Sequence, residues 1–246
     1  VDKIMLFQFS IFGDYSSISV SDWDKLKKMT KVFVDFDMMY NAKKEVSMEV
    51  NLQQGRSLKP KVIERPKYTS QDNSKIIDFF QDKINFIEKY IHGSNEEIKI
   101  PNFKEHVDEY LKKINEIYDI NFKRLALNIE QAYYTDDSKE KNILKYINSQ
   151  LTQYQDTKKL TGWRLAKRDN WENIEPSINI ITSATEASSK QEWLNHKKDI
   201  VVMRYDINTD ADNKDNLKND VCSTFLDQAI KIYDNISQEV NNVLEC

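Results

Sequence analysis

Glycine and proline are scarce in this chain, four of each among 246 residues, and there are only three histidines and two cysteines. Each shortage removes a kind of chemistry. Gly13, Gly55, Gly93 and Gly162 stand singly, so no glycine-rich loop is present to gather backbone N–H groups around a phosphate. No Gly-x-Ser-x-Gly elbow occurs, and neither cysteine has a base partner nearby in sequence. Cys222 falls inside an expected helix and Cys246 is the last residue, which argues against a structural disulfide and fits a reducing cytoplasm. His92, His106 and His196 are far apart, and the HVDEY at His106 carries no second histidine one helical turn on, so a zincin-like helix is excluded. No apolar run approaches the ~20 residues of a membrane span, and no signal-peptide pattern opens the chain. The expectation is a cytoplasmic protein with no membrane segment, no cofactor and no catalytic motif.

What the chain does contain is charge and aromatic volume. Charged residues make up 31% and aromatics 11%, against 39% hydrophobic residues in all. Disordered chains of such charge are poor in aromatics, so a folded core built largely from Phe and Tyr is expected. The formal net charge of -4 argues against a globally basic nucleic-acid binder but leaves room for a local patch.

Periodicity then orders the elements. Ile4 to Phe12 reads as a strand buried on both faces. Ser21 and Asp24 form a weak capping box before a helix whose apolar stripe is Trp23, Leu26, Thr30 and Phe33, carried to about Phe36. Val46, Met48, Val50 and Leu52 alternate as in a half-wet antiparallel strand. Arg65 to Tyr90 reads as a three-strand meander, with Pro66 confining its first strand to an edge or an irregular start. Phe103 to Tyr118 is helical and is the nearest cover for the meander. The order then recurs: strand Phe122–Gln131, helix Lys139–Gln155, strands at Trp163–Asp169, Ser177–Thr185 and Asp199–Asp206, and a long periodic helix through Val221, Phe225, Ile232 and Ile236. The fold class expected is α+β, with antiparallel sheets from two similar strand-helix-meander-helix halves, 1–118 and 119–246, and helices packed on one face.

Three stretches, PKYTSQDNSKIIDFFQDKINF, FKRLALNIEQAY and IVVMRYDINTD before a long terminal helix, resemble a sporadically distributed bacterial family found around mobile elements. Their order covers most of the chain from about Lys59 onward. Asn73 stands where that family usually has Gly, and Asn128 where it usually has Arg. The resemblance implies an α+β fold and a role in mobile-element or phage-related biology. It implies no activity.

Three clusters are candidates for function. Lys158, Lys159, Arg164, Lys167 and Arg168 precede the first acid, Asp169, and are flanked by Trp163 and Trp171; such a strand offers cations to phosphates and rings for stacking. The alternative is an edge strand with Trp163 and Leu165 inward and its cations solvated. Asp206, Asn208, Asp210 and Asp212 alternate like calcium-loop ligands, yet Ala211 and Leu217 replace the turn glycine and the bidentate glutamate. Phe225, Tyr233 and Val240 on the last helix exceed what a small core buries and mark an expected protein interface. The reading that follows is a non-enzymatic protein that binds a protein partner or its own copies. A nucleic-acid-binding subunit using residues 158–171 is the alternative.

Overall fold

The computed structural model describes residues 2–47, 50–51, 56–57, 61–91, 97–134, 164–171, 178–188, 199–209, 217 and 219–245. β1 (Asp2–Phe12) leads into α1 (Trp23–Val34), then β2 (Met38–Ser47) and the two-residue strands β3 (Val50–Asn51) and β4 (Arg56–Ser57). The meander follows as β5 (Lys61–Ser70), β6 (Lys75–Phe79) and β7 (Lys83–Lys89), ahead of α2 (Ile100–Tyr118) and β8 (Arg124–Tyr134). β9 (Arg164–Trp171), β10 (Ile178–Ser188), β11 (Asp199–Thr209) and α3 (Asn219–Glu245) complete the described elements. The expected helix at 139–155 lies outside the described residues.

Nine strands form one antiparallel sheet in the order β2-β5-β6-β7-β1-β8-β11-β10-β9. The class is α+β. β1 sits at the centre, its ladder bonded to β7 on one side and β8 on the other. Phe7, Phe9 and Ile11 on one face are fully buried, while Gln8 and Phe12 on the other are only half-buried, so the strand expected to be buried on both faces is apolar on one. The β1–β8 pairing carries the hydrogen-bonded sheet across residues 118 and 119.

The three described helices lie on one face of the sheet. α1 packs Phe33 on Tyr68 of β5, with ring centroids 4.6 Å apart. α2 places Phe103 against Phe7 and Tyr110 against Phe86, and α3 sets Phe225 against Phe9. Aromatic side chains thus supply much of the volume between helices and sheet, as the composition led one to expect. Pro101 falls in the first turn of α2, where no N–H is needed, so the helix begins earlier than Phe103.

Several boundaries differ from expectation for local reasons. Asp22, not Ser21, caps α1: its side chain accepts from the Lys25 amide at 3.2 Å, while the Ser21 hydroxyl is engaged with that of Ser19. α1 stops at Val34, and Asp37 follows in the left-handed region at φ 56°. The strand expected around Glu45 begins at Met38 instead, because all of Met38–Ser47 is registered against β5. Asn73 closes the β5–β6 turn at φ 61°, a conformation its short amide side chain tolerates. Pro66 needs no edge strand: β6 pairs with β5 only at Lys67–Thr69, so the proline lies one residue past the shared ladder.

The crossover from β1 to α1 is pinned from two sides. Gly13 approaches the α2–β8 connection so closely that a Cβ there would lie 2.3 Å from the Asn121 carbonyl oxygen. Arg65, fully buried, donates from Nη1 to the carbonyls of Tyr15, Ser16 and Ile18 at 3.1, 3.1 and 2.6 Å, and from Nε to Glu45 at 2.9 Å.

Candidate functional site

Along a strand, side chains alternate between faces, and residues opposed across a ladder share one. Since Phe7, Phe9 and Ile11 meet the helices, Gln8, Ser10 and Phe12 belong to the other face, on which none of the described helices packs. Registers extend that face across the whole sheet. One row runs Asn41, Lys67, Asp78, Asn85, Ser10, Ala126, Asn208, Asn179, Asn170 from β2 to β9. Its centre is short and buried, with Ser10 donating to Asn85 Oδ1 at 2.9 Å and accepting from Gln8 Nε2 at 3.2 Å.

On one side of this row lie Gln8, Asn128, Asp206 and Ile181, all half-buried. On the other side ring and cation alternate from β6 to β8 as Phe80, Lys83, Phe12 and Arg124, with the two cations Lys43 and Arg65 side by side on β2 and β5. Lys43 Nζ sits 2.8 Å from the Phe80 ring centroid, Lys83 Nζ lies 5.1 Å from Phe80 and 5.9 Å from Phe12, and the Arg124 guanidinium is 4.9 Å from Phe12. Both rings are half-buried, so each keeps part of its surface open to solvent. The face is thus a floor of small and amide side chains flanked by cations, with two phenyl rings among them.

Charges of both signs stand on this face. Three of its four acids in the described surroundings are matched within it: Lys43–Asp78 at 2.7 Å, Arg65–Glu45 at 2.9 Å and Arg204–Glu130 at 2.7 Å. The fourth, Asp206, accepts from Asn208 Nδ2 at 3.1 Å, and Asn208 Oδ1 in turn accepts from Arg124 Nη2 at 3.2 Å. Lys67, Lys83 and Lys89 have no acid partner among the described residues. Burial, chiefly, holds the Lys43 ammonium below its ordinary pKa, with Lys67 adding repulsion.

The residues expected from sequence are distributed unevenly over this geometry. Register places Arg164 and Arg168 of β9 in rows of the face opposite the described helices, Arg168 beyond Ile181 and Asp206. Lys167 and Trp171 fall in the opposite set of rows, Trp171 across from core residue Ile178. Lys158, Lys159 and Trp163 lie outside the described residues. Asp206 and Asn208 are in β11, in register with β8, and not in a loop; Asp210 and Asp212 lie outside the described residues. Among the described residues no three His, Cys, Asp or Glu side chains converge as metal ligands.

Phe225, Tyr233 and Val240 are core, which corrects their expected place at an interface: their exposures are 0%, 3% and 6%. One continuous sheet gives α3 a broader apolar bed than two half-sheets would, and Tyr233 even places its hydroxyl there, donating to buried Gln131 at 2.9 Å. Cys222 is likewise buried, and desolvation pushes its thiol pKa up, away from thiolate chemistry at neutral pH. His106 is held by Glu88 at 2.7 Å and lies 3.3 Å from Lys75 Nζ, on the helix side.

Phe12, Phe80, Lys83 and Arg124 were not singled out in the sequence. They come from the ends of separate strands, and only register brings them side by side. The alternation in β6 and β7 was the available signal, since Phe79 and Ile84 go to the core and leave Phe80 and Lys83 on the other face.

No protein-family model, curated protein or solved structure matches the chain. Among the described residues no helix is long and apolar enough to cross a membrane.

Proposed function

We propose that this protein is a non-enzymatic nucleic-acid-binding subunit that works through the sheet face opposite its described helices, in the mobile-element or phage-defence setting that the family resemblance implies. The observation that carries the reading is the gathering of Lys67, Lys83, Lys89 and Arg124 on one face of a chain whose net charge is -4. A cationic surface on an acidic protein attracts a polyanion locally while the rest repels it, which fixes the docking side. The sheet is read further as two similarly ordered halves joined at the centre, β1-β7-β6-β5 and β8-β11-β10-β9, each with its first strand beside its last. In that reading the binding face spans both halves.

The test is fluorescence anisotropy with labelled oligonucleotides at two salt concentrations. Binding that weakens as salt rises is expected, because each phosphate contact released contributes roughly -0.7 to the log–log slope for a single strand. Lys67→Glu with Lys83→Glu is expected to lower affinity at least about tenfold at low salt, since two favourable phosphate contacts become repulsive. Absence of any oligonucleotide binding at low ionic strength sinks the proposal.

A second reading, a protein partner or second copy added along β2, is favoured by one observation. β2 is an edge strand on which Met39 and Val46 are exposed, with Val62 exposed opposite Val46. Light scattering on the purified chain decides the self-association form of it: a strict monomer rejects that form.

A further inference from the structure

From the alternation of rings and cations we infer that the ligand is single-stranded nucleic acid lying across the strands of the sheet, with bases stacked on Phe80 and Phe12. This rests on the nucleic-acid reading above and narrows it to a ligand class and a direction.

The rings decide the class. A phenyl ring set into a sheet face meets a base only through the base's own face, and in a duplex those faces are covered by neighbouring base pairs. Unpaired bases present them freely, and stacking tolerates any sequence because every base has a π-face. Phe80 follows β6, and Phe12 belongs to β1, with β7 between them. Two strand steps of ~4.8 Å separate the rings by roughly 10 Å, so they serve successive parts of one strand rather than two ligands.

The cations decide the direction. Lys83 and Arg124 interleave with the rings in sheet order, Lys43 being matched already by Asp78, so phosphates between stacked bases meet a cation beside each ring only when the chain runs across the strands. Arg124 Nε is buried without a hydrogen-bond partner, a donor left over after its other contacts are made. Half-buried Gln8 and Asn128 stand four residues along their strands from Phe12 and Arg124, beyond the Ser10–Ala126 row, and amides of this kind bond base edges. Past Arg124 the same face continues through exposed Arg204 to the rows that hold Arg164 and Arg168.

The experiment titrates the full chain with oligothymidylate and oligouridylate of increasing length and with a hairpin duplex of equal charge. Single strands are expected to bind more tightly than the duplex, with affinity rising to a plateau at a length within the ~4–16 nucleotides of a small single-strand site. Phe12→Ala and Phe80→Ala are each expected to weaken single-strand binding about tenfold while leaving duplex binding unchanged. Phe12→Tyr, which keeps the ring, should bind as the parent does and controls for loss of folding. Equal affinity for duplex and single strand, or unchanged affinity in both alanine variants, overturns this inference and leaves the charged-face reading standing. No binding to any oligonucleotide removes that reading itself. Preference for the uridylate series over the thymidylate series would assign the strand as RNA, and the reverse as DNA, each within the inference.

Discussion

Replacing Arg65 with alanine is expected to remove about 3–5 kcal/mol of stability, the range found when one partner of a buried charged network is deleted. The guanidinium is wholly inaccessible to water and meets three carbonyl oxygens of one short segment, Tyr15, Ser16 and Ile18, as well as the Glu45 carboxylate. Glu45 keeps a fifth of its side chain exposed (19%) and also accepts from the Gln81 amide at 3.2 Å, so water and that amide can compensate it. The carbonyls cannot be compensated in the same way where they are buried, and most of the loss arises there. Arg65→Lys should recover little, because one ammonium on a flexible stem does not reproduce a planar fork aimed at several acceptors. Urea unfolding of both variants checks this, with the change read in the midpoint at constant slope. A loss under about 1 kcal/mol for the alanine variant would mean that the β1–α1 crossover is held by something other than this residue.

The same residue illustrates what sequence could and could not show. Strand existence was legible, since the meander expected over Arg65–Tyr90 is there, and β7 alternates so that Ile84 and Phe86 go to one face and Asn85 and Ile87 to the other. Helical stripes were legible too, because Val107 and Ile114 in α2 recur at the helical period and are buried. Arg65 was not, since an arginine in a strand that carries Glu64 and Lys67 beside it looks like one more solvated charge. Its burial depends on the connector residues Tyr15–Ile18, some fifty positions earlier (separations of 50, 49 and 47), folding over the sheet's end. The candidate site was hidden for the same reason. Local sequence favoured residues 158–171, where cations and tryptophans are neighbours in the chain. A sheet face instead samples every second residue of strands far apart in sequence, and Phe12, Phe80 and Arg124 become neighbours only through pairing. The order of strands, with β1 between β7 and β8, is not written in periodicity, which reports faces and not partners.

Phe225→Ala is expected to cost about 3–5 kcal/mol, as truncation of a fully buried phenylalanine does, through lost transfer free energy and the cavity left behind. The opposite expectation follows if Phe225 served a partner surface, because surface substitutions away from packed features stay within about 0.5 kcal/mol. The geometry distinguishes the two. Phe225 has no exposed surface and meets the Phe9 ring at 6.2 Å, and Phe9 belongs to the central strand of the sheet. Leu226 and Ala229, its neighbours on α3, are equally inaccessible, so little can relax into the space. The loss should therefore fall at the upper part of that range and appear in unfolding at every protein concentration. A dependence on concentration would instead tie Phe225 to association. Unchanged oligonucleotide binding by the folded variant is also expected, since Phe225 and the Phe12–Phe80 row lie on opposite faces of the same sheet. Stability and the proposed binding then separate by face: α3 holds the sheet from one side, and the ligand proposed above would meet the other.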